Sequence, residues 1–194
     1  MDQKISVIGG GSWATAIVKI LSNNVSKIHW WVRSNETAEF IRKYKHNPNY
    51  LSDVEIDLSK IEIETDLKKA ITSSDLIILA VPSAFLKNTL EKITSDDFKG
   101  RAVFSAIKGI IPDDLLIIGD FLNQKIGIPI NQIGVITGPC HAEEVAMERL
   151  SYLTIASQNK DTASRLATIM SCRYIKTSVS DDIYGTEYLS LIHI

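Results

Sequence analysis

The chain has 194 residues, of which 45% are hydrophobic and 23% are charged, a composition typical of a globular protein with one domain or one and a fraction. The formal net charge of -2 gives no reason to expect nucleic acid or an acidic membrane surface as a partner, and no apolar run approaches the length of an integral membrane segment. Two cysteines are too few for a disulfide scaffold and no signal-peptide pattern is present, so a cytoplasmic protein is expected.

Strand-like and helix-like patterns alternate along the whole chain. The predicted strands are 4–8, 27–32, 75–81, 101–106, 133–137, 152–156 and 173–177. The predicted helices are 12–23, 35–45, 66–72, 83–93, 113–125, 141–148 and 160–171. Such alternation predicts parallel βαβ units with right-handed crossovers, and hence an α/β, doubly wound, mainly parallel sheet. Segment 46–60 lacks periodicity and is predicted to be a long loop, a kind of segment that often carries function.

The turn between the first strand and the first helix is rich in glycine. Gly9, Gly11 and Ala14 fill the G-x-G-x-x-G/A frame of a dinucleotide-binding turn. The first glycine permits a sharp turn, the second lets a pyrophosphate approach the backbone, and the alanine lets the helix pack closely on the strand. The helix then presents free N–H groups to the phosphates. The sequence therefore predicts a Rossmann-like domain that binds a nucleotide cofactor.

The residue that follows the second strand bears on the choice of cofactor. A site that prefers NAD usually has Asp or Glu here, to bind the ribose 2′-hydroxyl. This chain has Arg33 instead, whose guanidinium can face a 2′-phosphate and stack on adenine. The residue slightly favours NADP over NAD, or tolerance of both. A solvated surface arginine is the alternative interpretation.

Two later strand ends carry groups that suit a substrate. Lys108 follows an apolar strand, so it is expected at the carboxyl edge of the sheet, where its ammonium suits a phosphate or a developing alkoxide; an ordinary solvated lysine is the alternative. The next strand leads into Gly138, Pro139 and Cys140. No base partner can be identified for the cysteine, so it is predicted to line a pocket rather than to act as a nucleophile. No metal site is predicted, because no cluster has metal-ligand spacing.

In these motifs the chain resembles bacterial NAD(P)-dependent glycerol-3-phosphate dehydrogenase. The matching segments are Gly9 to Ala16, Trp31 to Arg33, Tyr50 to Leu51, Ala80 to Ser83, Ile107 to Ile110, Gly138 to Glu144 and Asp182 to Leu189. The resemblance implies that residues 1–180 form an NAD(P)-binding Rossmann domain. It also implies that 181–194 begin a helical substrate domain that is otherwise essentially absent.

The resemblance assigns roles to individual residues. It implies that the cofactor is bound by Gly9, Gly11, Ser12, Trp13, Ala14, Arg33, Ser34, Tyr50, Lys108 and Ala142. It implies that the substrate is bound by Lys108, Gly138 and Cys140, with Lys108 also a catalytic residue. The family more often has Ser or Thr in place of Cys140, and a thiol is a weaker hydrogen-bond partner. Recognition at that position is therefore expected through the backbone.

The implied reaction is reversible hydride transfer between NAD(P)H and dihydroxyacetone phosphate, which gives sn-glycerol 3-phosphate for glycerophospholipid synthesis. In the family a second lysine, in a Lys-Asn pair, is the general acid, and the full-length enzyme is expected to be a homodimer. That lysine is absent from this chain, so this fragment is expected to bind cofactor with little or no turnover. His193 is not assigned its role. Residues 189–194 match the translation of a common sequencing-adapter sequence, and we hypothesise that they are partly or wholly artefactual.

Two alternative interpretations are left open by the sequence. One is a related two-domain reductase that acts on a hydroxy acid or on ketopantoate. The other belongs to a different class, a non-catalytic NAD(P)-sensing module. The glycine turn fits all of these proteins equally well. Lys108 and the Gly138-Pro139 turn favour an enzyme, because a sensor needs no second site beside the nicotinamide.

Overall fold

The computed structural model describes residues 4–191. The strands are β1 (Ile5–Ile8), β2 (Ile28–Trp31), β3 (Ile61–Glu64), β4 (Leu76–Leu79), β5 (Ala102–Ser105), β6 (Ile110–Ile111), β7 (Leu116–Ile117), β8 (Ile133–Thr137), β9 (Ser151–Ser157) and β10 (Ile175–Ser180). The α-helices are α1 (Ser12–Leu21), α2 (Asn35–Tyr44), α3 (Leu67–Thr72), α4 (Ser83–Thr89), α5 (Ile118–Phe121), α6 (Ala142–Ala146), α7 (Lys160–Met170) and α8 (Ile183–Leu191).

Eight of these strands form one sheet, in the order β10-β9-β8-β5-β4-β1-β2-β3. All neighbouring pairs are parallel except β8 and β9, which are antiparallel. The prediction of an α/β, Rossmann-like, mainly parallel sheet is confirmed. The chain runs from β1 to β2 on one side and later places β4 on the other side of β1. This reversal opens a crevice at the carboxyl ends of β1 and β4, where open α/β sheets bind ligands.

Two apolar layers cover the two faces of the sheet. Successive residues of a strand point to opposite faces, so Val7 and Ile78 belong to the layer that contains α1, whereas Ile8 and Ile77 belong to the layer that contains α3 and α4. Every residue of β1 and β4 is buried. The crevice between these strands therefore lies at the end of two completely buried strands.

The structure corrects the predicted secondary structure at two places. The edge strand β3 was not predicted, although it pairs with β2 along its whole length. The predicted helix 113–125 is wrong over its first part, where the chain forms the turn between β6 and β7 and then β7 itself; from Ile118 onwards it is helical, as α5 followed by a π-helical turn, Leu122–Ile126. The apolar residues of this segment still pack into the layer that contains α3 and α4, although part of its backbone is a strand and a turn. The helix predicted over 83–93 ends at Thr89, and the predicted loop 46–60 contains neither helix nor strand.

The last described helix, α8, packs on β8 and β9. The division at residue 180 stays a prediction, as does the hypothesis about 189–194, of which 192–194 lie outside the described residues. His193 is among those. Within 4–191, no helix has the length and apolar character needed to cross a membrane.

Candidate functional site

A groove runs along the carboxyl edge of the sheet and consists of two adjoining cavities of about 280 and about 400 Å³. The first is lined by Gly9, Gly10, Gly11, Trp31, Val32, Arg33, Ser34, Thr37, Asn49, Tyr50, Val81, Pro82, Phe85 and Thr89. The second is lined by Gly11, Ser12, Trp13, Tyr50, Ala80, Val81, Pro82, Ala106, Ile107, Lys108, Cys140, His141, Ala142 and Glu143. The glycine turn lies where the two cavities meet. The groove therefore lies on both sides of the glycine turn at the edge where open α/β sheets bind ligands.

Gly9 and Gly11 are glycines for different reasons. Gly9 has φ +143°, and a Cβ there would lie 2.3 Å from the carbonyl oxygen of Ala80. The fold itself requires this glycine. Gly11 has an ordinary φ of -83°, and a Cβ there would meet no protein atom within 4 Å. A side chain at Gly11 would instead project into open space. The fold therefore does not require glycine here, whereas a ligand that approaches the backbone would.

The carbonyl oxygens of the glycine turn are bonded to the protein. Trp30 donates from Nε1 to the Gly9 oxygen at 2.7 Å, and Asn47 donates from Nδ2 to the Gly10 oxygen at 3.0 Å. The Gly11 oxygen accepts from both the N–H and the hydroxyl of Thr15, each at 3.0 Å. These three carbonyl oxygens are thus occupied by protein donors. This arrangement suits an anion, which free carbonyl oxygens would repel.

The N-terminus of α1 supplies donors at the same place. The first N–H groups of a helix have no intrahelical partner, and the helix dipole makes this end positive. Ser12 and Trp13 line the second cavity, whereas Ala14 is fully buried and lets α1 pack on the sheet. The free N–H groups at the start of α1 can bind the pyrophosphate of a dinucleotide, because the carbonyl oxygens of the glycine turn already accept hydrogen bonds from the protein.

The end of the groove beyond β2 carries a positive charge and an aromatic ring. Arg33 is exposed, and no carboxylate among residues 4–191 lies within ion-pair distance of it. Among residues 4–191, neither Asp nor Glu lines the first cavity. Ser34 caps α2 by accepting from the Thr37 N–H at 3.2 Å. Phe85, 54% exposed, lines the same cavity and was not predicted.

The opposite end of the groove brings together the predicted substrate residues. Lys108 donates from Nζ to the carbonyl oxygen of Gly138 at 3.2 Å. A Cβ on Gly109 would lie 2.7 Å from the Ser83 hydroxyl, and one on Gly138 would lie 2.2 Å from the Tyr152 carbonyl oxygen. Both glycines therefore let the backbone pass close to a neighbouring element, one directly after Lys108 in the chain and the other at the carbonyl that accepts from it.

Cys140 is buried beside this lysine. Burial raises the pKa of the thiol to about 11, although the charge of Lys108 opposes the shift. The thiol is therefore protonated at neutral pH, which disfavours a nucleophile. Ala142 begins α6 and lines the cavity with Cys140. His141 is exposed, and its N–H donates to Glu144 at 3.4 Å.

Ten of the predicted site residues line the groove, and two do not. The ten are Gly9, Gly11, Ser12, Trp13, Arg33, Ser34, Tyr50, Lys108, Cys140 and Ala142. Ala14 lies in the core, and Gly138 reaches the site through its carbonyl oxygen. The roles of all twelve in binding stay predictions. Sequence reasoning missed Trp30 and Asn47, which hold the glycine turn from other segments.

A second polar cluster lies away from the groove, on the edge strands. His29, Glu62 and Glu64 have ligand-type atoms within 4.8 Å of one another, a grouping that the sequence did not predict. However, Lys27 Nζ lies 2.9 Å from Glu62, and Lys69 Nζ lies 2.6 Å from Glu64. Because these ammonium groups already neutralise the carboxylates, we assign no metal ion to the cluster.

The family model described as NAD-dependent glycerol-3-phosphate dehydrogenase N-terminus matches residues 4–163. Glycerol-3-phosphate dehydrogenase [NAD(P)+] of Pseudomonas fluorescens is 32% identical over 186 residues, which are 96% of this chain and 53% of the relative. The chain thus spans about half the length of the curated relatives that it matches.

Solved structures of glycerol-3-phosphate dehydrogenases are also similar to this chain. A glycerol-3-phosphate dehydrogenase of Plasmodium falciparum has a TM-score of 0.82 at 27% identity, over 93% of this chain and 53% of that one. A glycerol-3-phosphate dehydrogenase of Coxiella burnetii has a TM-score of 0.86 at 21% identity, over 97% of this chain and 57% of that one. The second similarity is one of fold.

Proposed function

Because the chain belongs to the family of NAD-dependent glycerol-3-phosphate dehydrogenase N-termini, we propose that its groove binds NAD(P)H and that the whole protein reversibly reduces dihydroxyacetone phosphate to sn-glycerol 3-phosphate. The family is one of oxidoreductases. The observation that carries the proposal is the glycine turn, whose carbonyl oxygens are bonded to Trp30, Asn47 and Thr15 while its open side adjoins the N-terminus of α1.

We place the pyrophosphate at the N-terminus of α1, where the two cavities meet. The adenosine half then extends towards Arg33 and Phe85, and the nicotinamide half towards Ala106 and Ala142, where small side chains leave room for a ring. When bound, the cofactor supplies or accepts the hydride. The contribution of the chain is to bind both halves and to fix the position of the ring.

Lys108 is proposed to hold the substrate. Its ammonium lies at the nicotinamide end of the groove and donates to the carbonyl oxygen of Gly138. A phosphate or carbonyl oxygen of a triose phosphate can take the remaining N–H donors of this group. Backbone groups beside Cys140 would complete the contact, because its buried neutral thiol is a weak partner.

The test is a titration of NADPH with and without sn-glycerol 3-phosphate, followed by the fluorescence of the reduced cofactor. We expect NADPH to bind, and sn-glycerol 3-phosphate to lower the dissociation constant of NADPH several-fold. Lys108→Met should lose the effect of sn-glycerol 3-phosphate, because a neutral side chain attracts no phosphate, and should weaken the binding of NADPH itself only by the loss of its own contact to the cofactor. Lys92→Met, outside this cavity, is the matched control. Cofactor binding without any coupling would favour the sensing module, and coupling to an unphosphorylated ketone alone would favour the other reductase.

Arg33 is proposed to favour NADP over NAD. Arg33→Gln should raise the dissociation constant of NADPH about tenfold and that of NADH by less than about threefold, because a charge-assisted contact to the 2′-phosphate is worth about 1.5–3 kcal/mol and is weakened by exposure. Arg165→Gln, an exposed arginine on α7, should change neither constant. Equal losses for both cofactors would contradict this role and leave cofactor binding itself intact.

A polypeptide of these 194 residues alone is proposed to bind cofactor with little turnover. Lys108 is the one lysine among the described residues that line the second cavity, and it is engaged in positioning the substrate. The general acid of the proposed reaction is a second lysine, and no second lysine lines this cavity among residues 4–191. Steady-state oxidation of NADPH by dihydroxyacetone phosphate should be negligible, and robust turnover would contradict the proposal.

The cellular setting is proposed on the same basis. The reaction would supply sn-glycerol 3-phosphate for glycerophospholipid synthesis. A reducing, cytoplasmic compartment agrees with Cys140 and Cys172, which are both free thiols. The whole enzyme is proposed to be a homodimer.

A further inference from the structure

Asn47 lies in the long loop between α2 and β3, and its side chain is almost completely buried, with 1% of the residue exposed. Its Nδ2 donates to the Gly10 carbonyl oxygen at 3.0 Å and to the Thr15 hydroxyl at 2.9 Å. Its Oδ1 accepts from the N–H groups of Asn49 and Tyr50 at 3.0 and 3.2 Å. An amide side chain has two N–H donors and one acceptor oxygen with two lone pairs. Asn47 therefore makes every hydrogen bond that its side chain can make.

We propose that Asn47 is a positioning residue that couples the glycine turn to Tyr50, so that both adopt the geometry that binds the dinucleotide. The inference rests on the proposed cofactor site. It assigns a function to a residue that belongs to neither the glycine motif nor the lining of the groove.

The physical basis is the peptide group that joins Gly10 and Gly11. In a planar trans peptide the carbonyl and the following N–H point in opposite directions. The bond from Asn47 to the Gly10 oxygen therefore also sets the direction of the Gly11 N–H. With a glycine on each side, this peptide meets little steric resistance to rotation. A rotated peptide would turn its carbonyl oxygen towards the phosphates and replace an attraction by a repulsion.

The same side chain controls one wall of the groove. Tyr50 lines both cavities and is 48% exposed, so little packing holds it in place. The bonds from Asn49 and Tyr50 to the Asn47 oxygen form a turn that fixes the start of this segment. Release of the turn would let Tyr50 move away from the ligand.

Two substitutions separate the donor and acceptor halves of this side chain. Asn47→Asp keeps the acceptor for Asn49 and Tyr50 and loses the donors, whereas Asn47→Leu loses both. We expect each to raise the dissociation constant of NADPH at least about tenfold. Amide hydrogen exchange at Asn49 and Tyr50 should stay slow in Asn47→Asp and become fast in Asn47→Leu. The leucine variant shows that the loss does not come from the added carboxylate charge.

Asn24→Leu is the matched control for a purely structural role. Asn24 Nδ2 also bridges two segments, by donating to the carbonyl oxygens of Ile169 and Ser171 at 2.9 and 2.7 Å, but it does not line the groove. We expect Asn24→Leu to lower the melting temperature and leave the NADPH dissociation constant within about twofold.

The outcomes distinguish this inference from the proposed function. If the unaltered chain binds NADPH and the Asn47 variants that fold bind it within about twofold, positioning by Asn47 is overturned and the cofactor site stands. If the unaltered chain binds no dinucleotide, both proposals are overturned. Should Asn47→Leu not fold, Asn47→Ala takes its place, because it also removes the donors and the acceptor and adds no charge.

Discussion

Replacing Gly11 with asparagine is expected to raise the dissociation constant of NAD(P)H at least about 100-fold without destabilising the fold. The Cβ at this position would meet no protein atom within 4 Å, and the backbone is extended at φ -83° and ψ -177°. Gly11 is the N-cap of α1, where asparagine is a preferred residue. Its side chain would bond to the same N–H groups that we assign to the pyrophosphate. The expected loss corresponds to about 2.7 kcal/mol of binding free energy.

The neighbouring glycines provide the controls for this experiment. A Cβ on Gly10 would lie 3.5 Å from Val32 Cγ1, an ordinary contact directed into the protein, so Gly10→Ala should bind cofactor within about threefold. Gly9→Ala should not give a stable folded chain, because its Cβ would overlap the Ala80 carbonyl at 2.3 Å and its φ of +143° is unfavourable for alanine. Each variant needs a melting curve and an NADPH titration. Retention of binding by a folded Gly11→Asn variant would remove the pyrophosphate from this turn.

The fold could be predicted where local sequence determines it. β1, β4 and the glycine turn depend on apolar runs and on residues within a few positions, and the structure agrees with them. β3 alternates isoleucine and glutamate over only four residues, a pattern typical of an edge strand but too short to be convincing without β2 beside it. The hairpin of β6 and β7 has two residues in each strand, and its apolar residues match helical spacing equally well.

The candidate site could be predicted where a residue follows a strand. Arg33 and Lys108 were found this way, because the carboxyl ends of parallel strands share one edge. Asn47 and Trp30 act on the glycine turn from 37 and 21 residues away. No local pattern specifies a bond over that separation. In the sequence, Asn47 is an asparagine in a loop without periodicity, which does not indicate a partner. Only the fold shows that it bonds to Gly10 and Thr15.

A second large effect is expected at Glu187, which joins α8 to α5. This residue is 2% exposed. Its carboxylate accepts from the N–H of Ile118 at 2.9 Å and from the N–H of Gly119 at 3.2 Å. A Cβ on Gly119 would lie 2.9 Å from Oε2, so glycine permits this approach. Burial raises the pKa of Glu187 from 4.5 to about 7, although both hydrogen bonds oppose the shift.

This shift makes stability depend on pH in a defined direction. Between pH 4.5 and pH 7 the unfolded chain releases the proton of Glu187 while the folded chain retains it, so the contribution of Glu187 to the free energy of unfolding falls as pH rises. At about 1.4 kcal/mol for each unit of pKa, the whole fall is at most about 3.4 kcal/mol, part of which is complete below pH 5. The nearby Asp120 raises the same pKa, and the pKa of Tyr184 is itself raised, mainly by burial. Neither acts against the predicted direction.

Urea unfolding of the unaltered chain and of Glu187→Gln at pH 5, 6, 7 and 8 measures this contribution. The glutamine cannot ionise, so the variant should gain stability relative to the unaltered chain with rising pH, by about 3 kcal/mol at most, and the difference should level off above pH 7. His29, whose pKa burial lowers, titrates in both proteins and cancels in the difference. Glu91→Gln, an exposed glutamate, should leave the pH profile unchanged. Parallel profiles for the unaltered chain and Glu187→Gln would mean that Glu187 is ionised in the folded protein well below pH 7, and that the two N–H donors outweigh its burial.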